Sequence, residues 1–375
     1  MQRDLVEVDV AVVGAGLAGL VCAQRLRLAG QRVIVLEKSR GLGGRLATRR
    51  LSGTYADHGV RYLDVQGPLT DLLIQTLLRQ TLLQPWLTEL EIWDAGKFCP
   101  LDKPCYTVSN GLTVVAKWLA ADLEIWSGRR LHQLTQTDSG WQLDLEAPAP
   151  ESESVLLARS VVMAIPAPQA LTLLEPLAAQ MPDLIQALQT VQFDPCLTAI
   201  GTYAAPASGA SLHRQAVKFL NHADLAWVSL ESSKGRDLDL PTLVVQSSPE
   251  FAKLYLEADD LRPVGKLLIE AAIETLFPDT KSWLNAPTEL QVHRWRYGLV
   301  HQPLSQPCLA LAQPVPLVCS GDWCGGSQLE AALASGLAAA VQIERLLNLA
   351  VAKSPETASP EAVFSALIDQ LTARQ

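Results

Sequence analysis

The chain has 375 residues, 49% hydrophobic and 18% charged, a composition that supports a large core and more than one structural unit. A net charge of −9 at pH 7, with a pI near 5.2 and no concentrated basic face, excludes nucleic acid as a partner. No run approaches the length of a bilayer span, and the charged start Met1 to Asp9 lacks the pattern of a signal peptide, so a cytoplasmic protein with no membrane partner is expected.

Val8 to Val13 is an apolar, β-branched run of strand length. It runs into Gly14-Ala15-Gly16-Leu17-Ala18-Gly19, after which Leu20 to Leu28 has helical spacing and Gly30 ends it. Val33 to Leu36 is a second short strand, closed by Glu37. Strand, glycine turn, helix, strand and acid form the pattern of a dinucleotide-binding βαβ unit. Gly14 permits the tight turn, Gly16 leaves the space that a pyrophosphate needs, and Gly19 lets the helix pack on the strand. Leu17 and Ala18 open the helix, whose free N–H groups and positive dipole end suit phosphates. Glu37, about 20 residues beyond the turn, is spaced to accept hydrogen bonds from ribose hydroxyls. This fingerprint does not by itself separate FAD from NAD.

Lys38-Ser39-Arg40-Gly41-Leu42-Gly43-Gly44-Arg45 follows directly. Gly43 and Gly44 beside Lys38, Arg40 and Arg45 predict a second backbone approach to a long anionic ligand, with the Arg45 guanidinium suited to a pyrophosphate.

Leu69 to Leu83 is a helical run. Glu124 to Leu145 alternates around Gly140-Trp141 and predicts a hairpin or a three-stranded meander, and Ala147 to Ser154 reads as a loop. Thr198 to Tyr203, Ala226 to Leu230 and Leu243 to Gln246 alternate as strands of a mixed sheet, and Val264 to Phe277 reads as an amphipathic helix. Val315 to Cys319 is another apolar strand, followed by Gly321-Asp322 and an Ala-rich helix from near Ser327. Lys353 to Pro360 reads as a linker, and Glu361 to Ala373 as a short amphipathic helix. The seven cysteines lack metal-ligand spacing, so no metal is expected.

Five of these segments together resemble the flavin amine oxidase superfamily and, within it, the renalase family of bacterial type. They are Glu37 with Ser39 to Arg45; Ala56-Asp57-His58-Gly59-Val60-Arg61-Tyr62; Ala164 to Gln169; His293-Arg294-Trp295-Arg296-Tyr297; and Gly321-Asp322-Trp323-Cys324 with Leu329-Glu330-Ala331-Ala332 and Ser335-Gly336. The resemblance implies an α/β fold, in which an FAD-binding Rossmann-type domain (residues 1–66, 102–174 and 304–350) is interleaved with a mixed α+β substrate domain (67–101 and 175–303). A C-terminal linker and short helix (351–375) follow. It implies FAD held without a covalent bond. Residues 56–62 run under the flavin, and Asp322 accepts from the ribityl hydroxyls unless it is only a turn residue. The last long helix, starting at Leu329 and Glu330, faces the flavin's pyrimidine edge, and Leu131 meets adenine through its backbone. Arg61 stands where glutamine is expected, and Leu63 where an aromatic is expected.

The implied reaction is oxidation of 2- or 6-dihydro isomers of NAD(P) to NAD(P)+, with hydride transfer to the flavin and reoxidation by O2 to H2O2. A dihydropyridine is already a hydride donor, so no catalytic side chain is expected, only residues that position the ring. Arg61, Tyr62, Trp227, His293, Trp295 and Trp323 are the candidate substrate residues, each aromatic being equally plausible as packing. Lys234, Arg236, Arg294 and Arg296 are the candidate cations for the substrate's pyrophosphate. Two other readings stand beside this one: a flavin amine oxidase or desaturase with an aromatic cage, and a non-turnover flavin-binding redox sensor that docks through the segment from Lys353 onward.

Overall fold

The computed structural model describes residues 6–51, 53–146, 155–204, 214–236, 240–277, 284, 286–347 and 359–374. The expected loop Ala147 to Ser154 and most of the linker from Lys353 lie outside the described residues.

The N-terminal unit is β1 (Val6–Val13), α1 (Leu17–Leu28) and β2 (Val33–Glu37), with the two strands parallel and Val10 to Val13 opposite Val33 to Leu36. β2 is buried at every position, as a parallel strand covered on both faces must be. An antiparallel ribbon, β3 (Thr48–Leu51) and β4 (Thr54–Asp57), leads into residues 58–63. Then come α2 (Pro68–Arg79), the long hairpin of β5 (Gln84–Asp94) and β6 (Lys97–Thr107), and α3 (Thr113–Leu119). β7 (Glu124–Ser127), β8 (Arg130–Gln136), β9 (Trp141–Glu146) and β10 (Val155–Met163) return to the first sheet. Helices α4 (Ala167–Leu174) and α5 (Pro182–Thr190) lead to β11 (Gln192–Thr202), β12 (Ala216–Leu220), β13 (Leu225–Leu230) and β14 (Thr242–Ser247). α6 (Pro249–Tyr255), α7 (Arg262–Leu276) and β15 (Glu289–Gln302) complete that excursion. β16 (Leu309–Leu311), β17 (Leu317–Cys319), α8 (Gln328–Leu346) and α9 (Pro360–Thr372) close the described chain.

Among the described residues, eight strands form the first sheet, in the order β16-β17-β10-β1-β2-β7, with the β8–β9 hairpin joined to β10 through β9. Of the hairpin and the three-stranded meander expected here, the β8–β9 hairpin forms, because β7 pairs with β2 in parallel instead. A second sheet of seven strands runs β15-β11-β14-β13-β12-β5-β6. α7 lies against it, burying Val264, Leu268, Ile269, Ala272 and Ile273 beside Leu197, Ala199 and Val245. The fold is therefore the expected α/β arrangement, a Rossmann-like unit with a mixed second unit inserted into it.

Two boundaries differ from the sequence reading. α2 was expected with the second unit, yet its Leu69, Leu73, Ile74 and Leu77 pack in the core that contains α1 and α8. α9 turns Phe364, Leu367, Ile368 and Leu371 into that same core. Its apolar face is consumed within the chain, so the helix is not a free docking element. Among the described residues, no helix is long and apolar enough to cross a membrane.

The register of the first sheet sets its ligand-facing edge. Val13, Met163 and Cys319 stand side by side on β1, β10 and β17. Gly14, Ala164 and Ser320 therefore leave three parallel strands at one carboxyl edge, the place where open α/β sheets bind ligands.

Candidate active site

The turn after β1 assigns each of its glycines a different task. Gly14 has φ +107°, and a Cβ there would lie 2.4 Å from the carbonyl oxygen of Ala164. A Cβ on Gly19 would lie 2.1 Å from the Gly14 carbonyl oxygen. Gly16 has an ordinary extended backbone, and a Cβ there would meet nothing within 4 Å. Packing explains the first two glycines, whereas the space beside the third is open. Gly16 also caps α1 without a side-chain hydrogen bond, so Leu17 and Ala18 begin a helix whose first N–H groups remain available to a ligand.

Glu37 is buried beside this turn. Its carboxylate accepts from Ala15 N at 3.0 Å and from Ser39 N at 2.8 Å, with lone pairs left for hydroxyl donors. Residues 41–45 fold over the same turn: Gly43 N donates to Ala15 O at 2.8 Å, and Gly43 and Gly44 both take positive φ. Arg45 Nη2 donates to Asp322 Oδ1 at 2.6 Å, and its Nη1 to Gly298 O at 3.3 Å. Arg45 and Asp322 thus reach one space from opposite ends of the sequence. The open side of Gly16, the uncapped start of α1 and this half-buried charge pair fit a dinucleotide pyrophosphate and the polyol next to it. Lys38 and Arg40 are exposed at the rim, Lys38 Nζ lying 3.4 Å from Gln169 Oε1. Leu131 is buried at the start of β8, whose preceding turn is fixed by Arg129 N donating to Glu37 O at 2.9 Å.

The closing segment is held by Ser335, whose Oγ accepts from Gly321 N at 3.0 Å. The start of α8 differs from expectation. Leu329 N and Glu330 N donate to Gln66 Oε1 at 3.0 and 3.3 Å. The Glu330 carboxylate accepts from Leu69 N at 3.0 Å and from Thr70 N at 2.8 Å. Two helix N-termini, α8 and α2, therefore cap one another, and the Glu330 side chain serves α2 rather than a cofactor.

The second sheet faces residues 57–63 with a row set by its register. His293, Thr198, Gln246, Trp227 and Lys218 are successive cross-strand neighbours on β15, β11, β14, β13 and β12. Directly opposed residues share a face. Thr198 Oγ1, Gln246 Nε2 and Trp295 Nε1 all donate to the His58 carbonyl oxygen, at 2.9, 3.3 and 2.8 Å. His58, His293 and Trp295 form a ring cluster with centroids 4.3–5.2 Å apart. Burial, with His293 and Arg49 adding cationic repulsion, pushes His58 down to about 3, and burial lowers His293 as well. Both imidazoles are therefore neutral near pH 7. Trp227 is fully buried, with Tyr62 at 5.4 Å and Trp86 at 6.4 Å between ring centroids, and Arg61 lies 5.2 Å over its ring.

The structure thus brings Arg61, Tyr62, Trp227, His293 and Trp295 together, but not Trp323. That ring is buried in the core beneath the first sheet, where its Nε1 donates to Ile165 O at 3.1 Å. The four cations assigned to a cleft mouth are also engaged elsewhere. Lys234 and Arg236 are fully buried with Asp57 and Glu231 in a four-residue ion cluster. Arg294 donates to Ala258 O, and Arg296 pairs with Glu257 at the surface. Sequence reading missed Thr198, Gln246, Lys218 and Trp86. The first two lie in recognised strands, but only strand pairing reveals which face they share.

Comparison with known proteins adds family context. Residues 12–76 match a model of the NAD(P)-binding Rossmann-like domain, and residues 86–344, more than half of the chain, match the model of flavin containing amine oxidoreductases. The chain is 43% identical over 67 residues to AofH of Mycobacterium tuberculosis, named among flavin-containing monoamine oxidases; the match spans 18% of this chain and only 14% of that protein. It is 38% identical over 91 residues to the FAD-dependent oxidoreductase oblC of Cochliobolus heterostrophus, spanning 24% of this chain and 16% of that one. Among solved structures, a protein of Exiguobacterium sp. 255-15, described as a protoporphyrinogen oxidase, superposes with a TM-score of 0.67 at 15% identity, covering 92% of this chain and 99% of that one. Cyclohexylamine oxidase from Brevibacterium oxydans superposes with a TM-score of 0.64 at 13% identity, covering 91% and 99%. These two likenesses show the fold.

Proposed function

Because the chain belongs to the flavin-containing amine oxidoreductase family, and is therefore an FAD-dependent oxidoreductase, we infer that its substrate is a 2- or 6-dihydro isomer of NAD(P) that leaves as NAD(P)+. The observation that carries this reading is the row His293, Thr198, Gln246, Trp227 and Lys218 facing residues 57–63. It carries flat rings, a cation and no carboxylate, and its Thr198 and Gln246 fix residues 58–61 in place through hydrogen bonds. Lys218 repels a cationic amine, which keeps only cation–π attraction to the rings, whereas it attracts a flat ring on an anionic tether.

Bound FAD supplies the acceptor for the hydride, and O2 takes the electrons on as H2O2. The protein's task is placement. His58, neutral and stacked near Trp295, carries no imidazolium proton for acid catalysis near pH 7, and no base is needed to oxidise a dihydropyridine. The ring cluster and Trp227 limit the orientations that a ring can take. A displacement of about 1 Å costs on the order of a hundredfold in rate, so a site that aligns carbon 2 or 6 rejects carbon 4.

Anaerobic single-turnover mixing tests the reading. The 2- and 6-dihydro isomers are expected to bleach the flavin band quickly, with ordinary β-NADH and simple amines slow or inert. Fast bleaching by an amine alongside inert dihydro isomers would establish an amine oxidase instead. Slow bleaching by every compound would favour a sensor without turnover.

A further inference from the structure

With Lys234, Arg236, Arg294 and Arg296 engaged elsewhere, Arg61 and Lys218 are the cations beside Trp227 among the described residues. Arg61 Nε donates to Gln246 Oε1 at 2.6 Å and its guanidinium lies over the Trp227 ring, so both contacts are to uncharged groups. Lys218 stands directly opposite Trp227 in the β12–β13 ladder, so its side chain leaves the same face of the sheet. It is half-buried, and among the described residues no hydrogen bond or ion pair holds its ammonium. Burial, with Arg61 and Lys103 nearby, lowers its pKa, against an opposing pull from Asp64. Asp64 is itself paired with Lys103 at 2.6 Å. Lys103 and Lys218 thus share one acid, and neither Arg61 nor Lys218 has a carboxylate partner of its own among the described residues.

Holding two like charges together in a partly desolvated place costs free energy unless something compensates it. We propose that Arg61 and Lys218, flanking the Trp227 ring, form an anion subsite that takes a phosphate group of the substrate and excludes free amines. Guanidinium offers a planar fork to phosphate oxygens and ammonium a movable point charge, while the half-buried Tyr62 and Trp86, packed on the buried Trp227, supply the apolar side. The subsite deepens the dihydronicotinamide reading and rests on it for the choice of phosphate over carboxylate.

The test is calorimetric titration of the FAD-loaded enzyme with inorganic pyrophosphate, and separately with glutarate, at constant ionic strength. Neither probe is a hydride donor, so the result is independent of whether dihydro isomers bleach the flavin. Saturable binding of pyrophosphate is expected, weakened at least about tenfold by Lys218→Met and by Arg61→Gln, and retained within a few-fold by Lys218→Arg. An unchanged flavin spectrum and melting temperature show that each variant keeps its fold. Absence of pyrophosphate binding, equal affinity in the charge-removing variants, equal loss in Lys218→Arg and Lys218→Met, or tighter binding of glutarate would each overturn the proposal.

Discussion

Arg45 and Asp322 lie 277 positions apart and meet at 2.6 Å, joining the glycine loop after β2 to the segment after β17. Asp322 keeps 12% side-chain exposure and Arg45 28%, so neither charge is sealed away from a ligand. We propose that the pyrophosphate and polyol of FAD replace this contact with partners for each member. Asp322→Ala should lower FAD affinity about tenfold or more, the effect of losing a charge-assisted hydrogen bond of roughly 1.5–3 kcal/mol. FAD titration of the apoprotein checks this, and equal affinity in variant and parent counts against the assignment.

Asp57 ties β4 to the turn that carries Glu231, Lys234 and Arg236, all with side chains fully buried. Removing one member of such a cluster leaves a buried cation uncompensated. Asp57→Asn should therefore cost roughly 3–5 kcal/mol, read as a lower denaturant midpoint at pH 7.

The same carboxylate sets an acid limit. Burial pushes its pKa up, but Lys234 and Arg236 outweigh that and hold it at about 2. A carboxylate lowered on folding stabilises above its unfolded pKa, so this contribution is complete above about pH 5 and disappears as pH falls toward 2. Stability curves should steepen in that window for the parent and flatten for Asp57→Asn.

His58 acts in a different window. Its pKa is held at about 3 by burial, so the folded chain stays neutral there while the unfolded chain takes up a proton below about 6.5. The unfolded state then binds more protons, and stability falls as pH drops from 7 to 5. His58→Gln should flatten this slope in thermal melts recorded from pH 7 to pH 5. An unchanged slope would mean that the imidazole is not held neutral.

The strands and helices of the first unit were legible because their patterns are local. An apolar run ending at Gly14 and an acid at Glu37 lie within one βαβ unit, and the structure pairs those strands as the pattern requires. The second unit was legible only in part. Gln84 to Asp94 and Lys97 to Thr107 form a long hairpin, but three prolines and many exposed charges obscure its alternation. Trp227 and His293 were singled out by residue type, whereas Lys218 and Gln246 gain meaning only from register. Leu329 and Glu330 were expected to turn a helix start toward the flavin, but their N–H groups donate to Gln66 and the Glu330 carboxylate caps α2, a contact between distant segments that no local pattern reveals.

Gly16 separates a ligand-driven glycine from packing-driven ones. Its φ of −77° suits any residue, and a Cβ would meet nothing within 4 Å. Gly19 is different, since a Cβ there would press within 2.1 Å of the Gly14 carbonyl oxygen and force α1 off the sheet. Gly16→Val should therefore fold with near-parent stability as apoprotein but fail to load FAD, because its side chain fills the space meant for the pyrophosphate. Gly19→Val should be destabilised whether or not FAD is present, by roughly 1–3 kcal/mol or more, as for overpacking of a closed interface. Melting of both apoproteins, followed by FAD titration, distinguishes the two. If Gly16→Val loads FAD with parent affinity, the open side of this turn is not where the dinucleotide lies.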